Sequence, residues 1–555
     1  MASTSPRSYK DAVTLLNSLQ TNAAVLATIR ADPTKSVRFG LPEMLAYVER
    51  AGYQVDDLNR LGLIHITGTK GKGSTAALAE SALRSVGRRG DGLTIKTGLY
   101  TSPHLMEVRE RIRIDGAPLS RDKFALYFFE LWDRLKASEA RYISEAVAVG
   151  MIPMPNYFRF LTILAFHVFM REETNATLLE VGIGGQHDST NIITGPVVTG
   201  IASLGYDHVA ILGSTLTEIG RQKAGIMKRG APCVVAPQPA EGMRALVDYG
   251  REIGSPVVLA APLPDTAVVG LAGAHQRVNA ALAASLALVY LHRTADTTTA
   301  SSLMLPTRAL AIGADADYRA LAAQYMGTAA AAAMGADARV DARAERDEAA
   351  TYASVDTAVP EAVALPMVPA VAHGIAEARW PGRAHVVRGA PRDGVDVYAD
   401  GAHTTESLRA CARWFAAETT TSSSTTARRH LVFNLTHARD AAALLAPLAP
   451  HPWDSVTFCP AVPGGPPRPD AGGDTTNYTE FADPELKQQQ ALRDAWAAMV
   501  GPEAAAASHV RPSVHDALAV IASSDGGEEN THAVLVTGSL YLVGALLEAV
   551  GAPVE

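Results

Sequence analysis

Cysteine is scarce in this chain. Cys233, Cys411 and Cys459 are the only three among 555 residues, and none falls in CxxC spacing. That excludes a disulfide framework and a cysteine zinc site, fits a reducing compartment, and leaves three buried, inert thiols as the expectation. Long apolar runs are missing too: no uncharged stretch approaches the ~20 residues that a membrane helix needs, so no membrane span is expected. Residues 1–10 are polar without the apolar core of a secretory leader. A cytosolic location is expected, with a mitochondrial isoform as the alternative. An excess of positive charge is lacking, since the formal net charge is -8. Coating nucleic acid is therefore not the task, although a few residues can still build a local basic pocket for an anionic substrate. What remains is 48% hydrophobic and 19% charged, the composition of a soluble globular protein, long enough for two or three domains.

Short runs rich in Val, Ile and Leu at residues 63–67, 177–182, 197–204 and 233–236 alternate with helix-prone stretches. This rhythm predicts a mostly parallel sheet flanked by helices, with ligands gathering at the carboxyl ends of the strands. A second set at 395–398, 430–435, 455–459 and 533–537 predicts a smaller α/β domain. We therefore expect an amino-terminal domain over 1–300 and a carboxyl-terminal one over 371–555. The alanine-rich and charged stretch 301–370 reads as an insertion or spacer. The Ser/Thr run 419–426 and the Pro/Gly/Asp-rich 460–476 read as surface loops.

The most informative segment follows the first run: Gly68-Thr69-Lys70-Gly71-Lys72-Gly73-Ser74-Thr75. A glycine-rich turn between strand and helix lets main-chain N–H groups wrap phosphate at a helix N-terminus, with Lys72 holding the outer phosphates. The spacing departs from G-x-x-x-x-G-K-[ST], because two residues separate Gly68 from Gly71 and Gly73 stands where a hydroxyl should follow Lys72. A purely structural glycine turn would use the same letters.

Other strand ends carry further chemistry. Ser102, after Leu99 and Tyr100, offers a hydroxyl to a hard cation, or caps a Ser-Pro turn. Glu180 lies in an apolar run ahead of Gly182, Gly184 and Gly185, and a carboxylate buried there needs a cation, either magnesium or an arginine. His208 follows Asp207 at another strand end and could ligate an ion, orient a phosphate, or simply be hydrogen-bonded. Lys223 sits near the end of an expected helix, where a solvated lysine would also be favoured by the helix dipole. In the second domain Arg383 could neutralise phosphate and Asp400 could accept from ribose hydroxyls, though each also suits a turn. Residues 157–162, Tyr-Phe-Arg-Phe-Leu-Thr, could wall an aromatic ligand or pack as a core helix.

Taken in order, the blocks 67–75, 100–116, 180–191, 204–208, 212–228, 273–280, 380–383, 400–407 and 536–544 resemble the folylpolyglutamate synthases, within the Mur-ligase-like ATP-dependent amide-forming enzymes. Residues 9–23 are most like fungal members. The resemblance implies an α/β fold, with a mostly parallel-sheet P-loop ATP-binding domain and a smaller carboxyl-terminal Rossmann-like domain. It assigns Gly68, Thr69, Gly71, Lys72, Gly73, Ser74 and Asn279 to ATP, with Arg383 and Asp400 as phosphate and ribose contacts. Ser102 and Glu180 match ligands of one magnesium, and His208 of a second. Lys223 matches a lysine that becomes carbamylated, and a monovalent cation is a further expectation. His403 and Ser539 match positions near the incoming glutamate. Two departures stand out: Gln186 where the family commonly has Arg, and His437 in place of a glycine within 436–440.

The implied catalytic group is Lys72, Glu180, His208, Lys223 and His403. The implied reaction converts the γ-carboxylate of a reduced folate into an acyl phosphate at the expense of ATP, and L-glutamate then displaces phosphate. In this reading two lobes act on one magnesium-bound nucleotide, the partners are small molecules, and the chain is a monomer. Glutamate addition to dihydropteroate by the same machinery, and a nucleotide-binding relative without activity, are the alternatives.

Overall fold

A computed structural model of the protein describes residues 7–20, 33–88, 94–139, 153–294, 368–421, 427–435, 440–465, 485–523 and 531–554. The expected spacer 301–370 lies outside them except for Val368, Pro369 and Ala370, as do Thr436, His437, residues 422–426 and residues 466–476. The described residues divide into two units. The first takes residues up to Ser102, then Arg111–Gly270 and Ala274–Arg379, and the second takes Pro103–Glu110, Leu271–Gly273 and everything from Trp380. The second unit thus begins at Trp380 rather than at 371, and it also takes in two short segments embedded in the first unit's sequence.

The first unit is built on an eight-stranded sheet. Its strands are β1 (Leu63–Thr67), β2 (Thr97–Tyr100), β3 (Ile112–Ile114), β4 (Ala117–Pro118), β5 (Ala176–Glu180), β6 (Val198–Ile201), β7 (Cys233–Val235) and β8 (Val257–Leu259), in the order β4-β3-β2-β5-β1-β6-β7-β8. All are parallel except the β3 and β4 pairings. Strands β1 and β5 are buried throughout, which is why they read as continuous apolar runs rather than as alternating ones. From β1 the chain moves out to β2 on one side, returns to β5, and then crosses to β6 on the other side. That reversal makes the carboxyl end of β1 a switch point, where two connections diverge and leave a crevice. Register puts Glu180 level with Ile66, so the last residue of β5 stands at the same height as the start of the glycine loop.

Residues 157–162 begin the helix Tyr157–Arg171. Asn156 caps it by accepting from the Arg159 amide, and Phe160, Phe166 and Phe169 are buried. The core reading therefore holds for Phe160, Leu161 and Thr162, while Tyr157, Phe158 and Arg159 are only partly buried. Phe158 is partly exposed and lies where a β-carbon on Gly182 would meet its ring at 2.6 Å.

The second unit holds β9 (His385–Val387), β10 (Val395–Ala399), β11 (Arg428–Phe433), β12 (Ser455–Phe458), β13 (Ser508–Val510) and β14 (His532–Thr537), ordered β13-β12-β11-β14-β10-β9. Only β9 is antiparallel. The carboxyl ends of the neighbours β10 and β14 come together, so the loops after Ala399 and Thr537 are adjacent. All three cysteines are free and buried, and burial pushes each thiol up, Cys233 to about 12. Among the described residues no helix is long and apolar enough to cross a membrane.

The helix Pro369–Glu377 belongs to the first unit because Gly374 lets it approach the helix Lys72–Gly87. A β-carbon there would lie 2.4 Å from the Ser81 carbonyl, and the Ser81 hydroxyl donates to Gly374 O at 2.7 Å. Gly374→Val should therefore lower the unfolding free energy by about 2–3 kcal/mol through overpacking. Urea denaturation checks this, and a loss below about 0.5 kcal/mol would contradict the close crossing.

Candidate functional site

The loop after β1 is shaped by its glycines. Gly71 caps the helix Lys72–Gly87 in the left-handed region, with φ +85°, and Gly68 has φ +153°. A β-carbon on Gly71 would lie 2.2 Å from Asn279 Oδ1, so Asn279, from the helix Ala274–Thr294, closes one side of the loop. The other side is stapled to the exit of β6. The amides of Thr69 and Lys70 donate to Ser203 O at 2.9 and 3.2 Å, and the Thr69 hydroxyl donates to Gly205 O at 3.0 Å. The start of a sixteen-residue helix thus presents its main-chain donors at the switch point, the arrangement that suits an anion.

Two lysines meet at this loop. Lys72 Nζ donates to Gly68 O at 3.1 Å and reaches Thr69 O at 3.4 Å, while Lys223 Nζ donates to the same Gly68 O at 2.9 Å. Lys223 is only 3% exposed, so the solvated reading is overturned. It occupies the last turn of the helix Leu216–Ala224, whose first turn is fixed by reciprocal bonds between Thr215 and Glu218. Burial, and second the nearby Lys72 ammonium, hold the Lys223 ammonium down to about 7. The Asp207 and Asp188 carboxylates act in the opposite direction; the sequence offered Asp207 only as the neighbour of His208.

Glu180 and Ser102 lie together, as expected. The Ser102 amide donates to Glu180 Oε2 at 2.9 Å, and the carboxylate is 5% exposed. Among the described residues no group of three or more His, Cys, Asp or Glu side chains could hold an ion by itself. A buried carboxylate beside a serine, next to a phosphate-shaped loop, fits magnesium, which takes few protein oxygens and completes its shell with phosphate and water. His208 is half-exposed, in the left-handed region at φ +50°, and its Nε2 lies 4.0 Å from Asp207 Oδ2.

The turn beyond Glu180 is tied down closely. Thr67 Oγ1 donates to Gly184 O at 2.5 Å, the Gln186 amide donates to Gln222 O at 2.7 Å, and a β-carbon on Gly225 would strike Gln186. Gln186, the departure noted above, therefore packs on the turn that ends the Lys223 helix. Gln276 also escaped sequence reasoning. It is buried, accepts from Asn279 Nδ2 at 2.9 Å, and its own amide approaches Ser74 Oγ at 3.5 Å. Its place three residues before Asn279 on one helix face is the signal that could have found it.

In the second unit, Asp400 Oδ2 accepts from the Ala384 amide at 2.8 Å and Oδ1 from Ala402 at 2.9 Å, so it staples the turn carrying Arg383 to the end of β10. Arg383 donates to Gly382 O at 3.2 Å. His403 Nδ1 lies 2.8 Å from Gly401 O. Ser539 caps the helix Leu540–Ala549 by accepting from the Tyr541 amide at 3.2 Å. Gly538 N donates to Ala402 O at 2.9 Å, which brings the loop of Asp400 and His403 beside that of Ser539, with the Arg383 turn stapled to the first of them.

No protein-family model matches the chain. Curated proteins do. The chain is 40% identical over 466 residues to the mitochondrial folylpolyglutamate synthase of Bos taurus, covering 81% of this chain and 68% of that one. It is 35% identical over 552 residues to the folylpolyglutamate synthase of Saccharomyces cerevisiae, covering 98% and 86%. Among solved structures, the Mycobacterium tuberculosis folylpolyglutamate synthase complexed with ADP and AMPPCP has a similar fold, with TM-score 0.63, 22% identity, and coverage of 93% and 96%.

Two outcomes follow from the loop. Gly71→Ala should weaken ADP binding at least about tenfold, because the left-handed conformation costs about 1–2 kcal/mol for alanine and the methyl displaces Asn279; calorimetric affinity within twofold of wild type would contradict this. Lys223 titrates near 7 when folded and near ~10.4 unfolded, so between those values the unfolded chain binds more protons and stability rises with pH. In carbon dioxide-free buffer, Lys223→Met should stabilise the protein by on the order of 3–5 kcal/mol at pH 7, a gain that shrinks toward pH 10. A urea-midpoint difference that does not change with pH would count against the buried amine.

Proposed function

The chain belongs to the folylpolyglutamate synthase family, and on that premise we propose how its own residues add L-glutamate to the γ-carboxylate of a reduced folate or folylpolyglutamate at the expense of ATP. It is an ATP-dependent acid–amino-acid ligase. The observation that carries the reading is the convergence of Lys72 and Lys223 on Gly68 O, at the N-terminus of a helix that follows a strand in register with the buried Glu180. The Lys72 ammonium and the main-chain donors of the helix start call for a polyanion.

The folate γ-carboxylate oxygen bonds to the γ-phosphorus of ATP and the bond to the bridging oxygen breaks, giving an acyl phosphate and ADP. The amine of L-glutamate then bonds to the acyl carbon, loses a proton, and phosphate leaves. Loop amides from residues 71–74 cradle the phosphates, Lys72 turns its ammonium from the loop carbonyls toward the transferring oxygens, and Asn279 fixes the nucleotide side of the loop. Ser102 and Glu180 would hold one magnesium, which when bound would neutralise charge on the phosphate oxygens, and His208 would serve a second. Lys223 poised near neutrality is a nucleophile for carbon dioxide. Its nitrogen bonds to the carbon, a proton leaves to solvent, and the carbamate keeps one N–H for Gly68 O. Arg383 serves phosphate, Asp400 ribose, and His403 and Ser539 the incoming glutamate. Relatives of mitochondrial and of unspecified location both exist; we place this chain in the cytoplasm.

Purified protein given ATP, magnesium, tetrahydrofolate and labelled glutamate should form labelled folate with release of ADP. Dihydropteroate in a parallel reaction should be a poor acceptor, and the reverse preference would favour the dihydrofolate-forming alternative. Lys72→Ala and Glu180→Ala should each lower turnover by about 10²–10³. Near-normal turnover in either folded variant would refute the assigned role.

A further inference from the structure

His65 and Thr190 lie outside the machinery just described, and both are completely buried. His65 sits on β1, and its Nε2 is 2.8 Å from Thr190 Oγ1. Thr190 Oγ1 lies 2.6 Å from Asp188 Oδ1, which also accepts from the Thr190 amide at 3.0 Å. The other carboxylate oxygen, Asp188 Oδ2, accepts from the Ile183 amide at 3.0 Å.

The direction of each bond follows from donor counting. Burial raises the Asp188 carboxyl above its ordinary value, and against that each oxygen accepts a main-chain N–H, which favours the ionised carboxylate, an acceptor only. The single Thr190 hydroxyl proton therefore goes to Asp188, and Thr190 Oγ1 must accept from a protonated His65 Nε2. Burial holds His65 down to about 3, so the ring carries one proton, and it is already placed. His65 Nδ1 is then a bare acceptor, which agrees with its having no hydrogen-bond partner. The opposite tautomer would orphan a buried N–H, a costlier arrangement.

Asp188 closes the turn 182–188 that directly follows Glu180, and this turn also takes the Thr67 hydroxyl on Gly184 O. Since Glu180 is level with Ile66, His65 and Glu180 hang from neighbouring strands one residue apart in height. We propose that His65 is a positioning residue: through Thr190 it fixes the Asp188 carboxylate, and through Asp188 it fixes the turn that sets Glu180 and the adjoining wall at Phe158. The inference rests on the ligase reading above.

Thr190→Val removes the relay at nearly constant shape, whereas Thr190→Ser keeps its hydroxyl. Thr190→Val should lower kcat/KM for glutamate addition ten- to hundredfold, as loss of an orienting partner does elsewhere, and Thr190→Ser should stay within about threefold of wild type. If Thr190→Val does not fold, His65→Gln, which can keep an N–H near the Nε2 position, should retain activity that His65→Leu loses. A folded Thr190→Val with wild-type kcat/KM, or a serine variant as impaired as the valine one, would overturn the relay. Amide exchange at Ile183 and Thr190 reads it without turnover. Faster exchange in Thr190→Val supports the relay and unchanged exchange overturns it, even if the wild-type chain proves inert toward folate and the ligase reading fails by itself.

Discussion

Two ammonium groups share one carbonyl oxygen, Gly68 O, and the architecture of the first unit exists around that crowding. Like charges so close destabilise each other, more so when one is buried, and the protein tolerates them because the helix N-terminus beside them is a place where negative charge belongs. Every neighbouring feature has the same sense. Glycines let the backbone donors face inward, Asn279 and Ser203 O hold the loop's two sides, and Glu180 brings a carboxylate to the rim without forming an ion cage of its own.

The parallel sheet supplies the precision. Because β5 and β6 flank β1 in fixed register, the residues that follow the three strands arrive at one level, and each connecting loop is bonded to the next: Thr69 to Gly205, Thr67 to Gly184, Gln186 to Gln222. A site on such strand ends inherits the stiffness of a core buried on both faces. The second unit repeats the device at the ends of β10 and β14, where Asp400 acts first as a staple between two turns.

Much of this was legible in the residues. The run at 63–67 is β1 to the residue, and the runs at 177–182 and 197–204 contain the ends of β5 and β6, overshooting by Val181 and Gly182 and by Ala202, Ser203 and Leu204, whose apolar members do not mark where the sheet ends. Strands β3, β4, β9 and β13 were not legible, being two or three residues long and at or next to sheet edges, where little apolar pattern is required. The assignment of residues 103–110 to the second unit could not be read either, since composition carries no mark of it. Lys223 looked like an ordinary lysine near a helix end, and only the fold reveals that its ammonium is enclosed. The His65 relay was hidden for a related reason: a histidine within an apolar run gives no hint of a partner 125 positions away.

The most direct test of the shared-carbonyl account is the proton count on nucleotide binding. Calorimetric titration of ADP near pH 7, in carbon dioxide-free buffers of different ionisation enthalpy, reports protons taken up. Phosphate arriving beside Lys223 should raise its affinity for a proton, so wild type should take up more protons than Lys223→Met, by a substantial fraction of one. Equal counts in the two proteins would contradict the claim that the two lysines are poised for an anion.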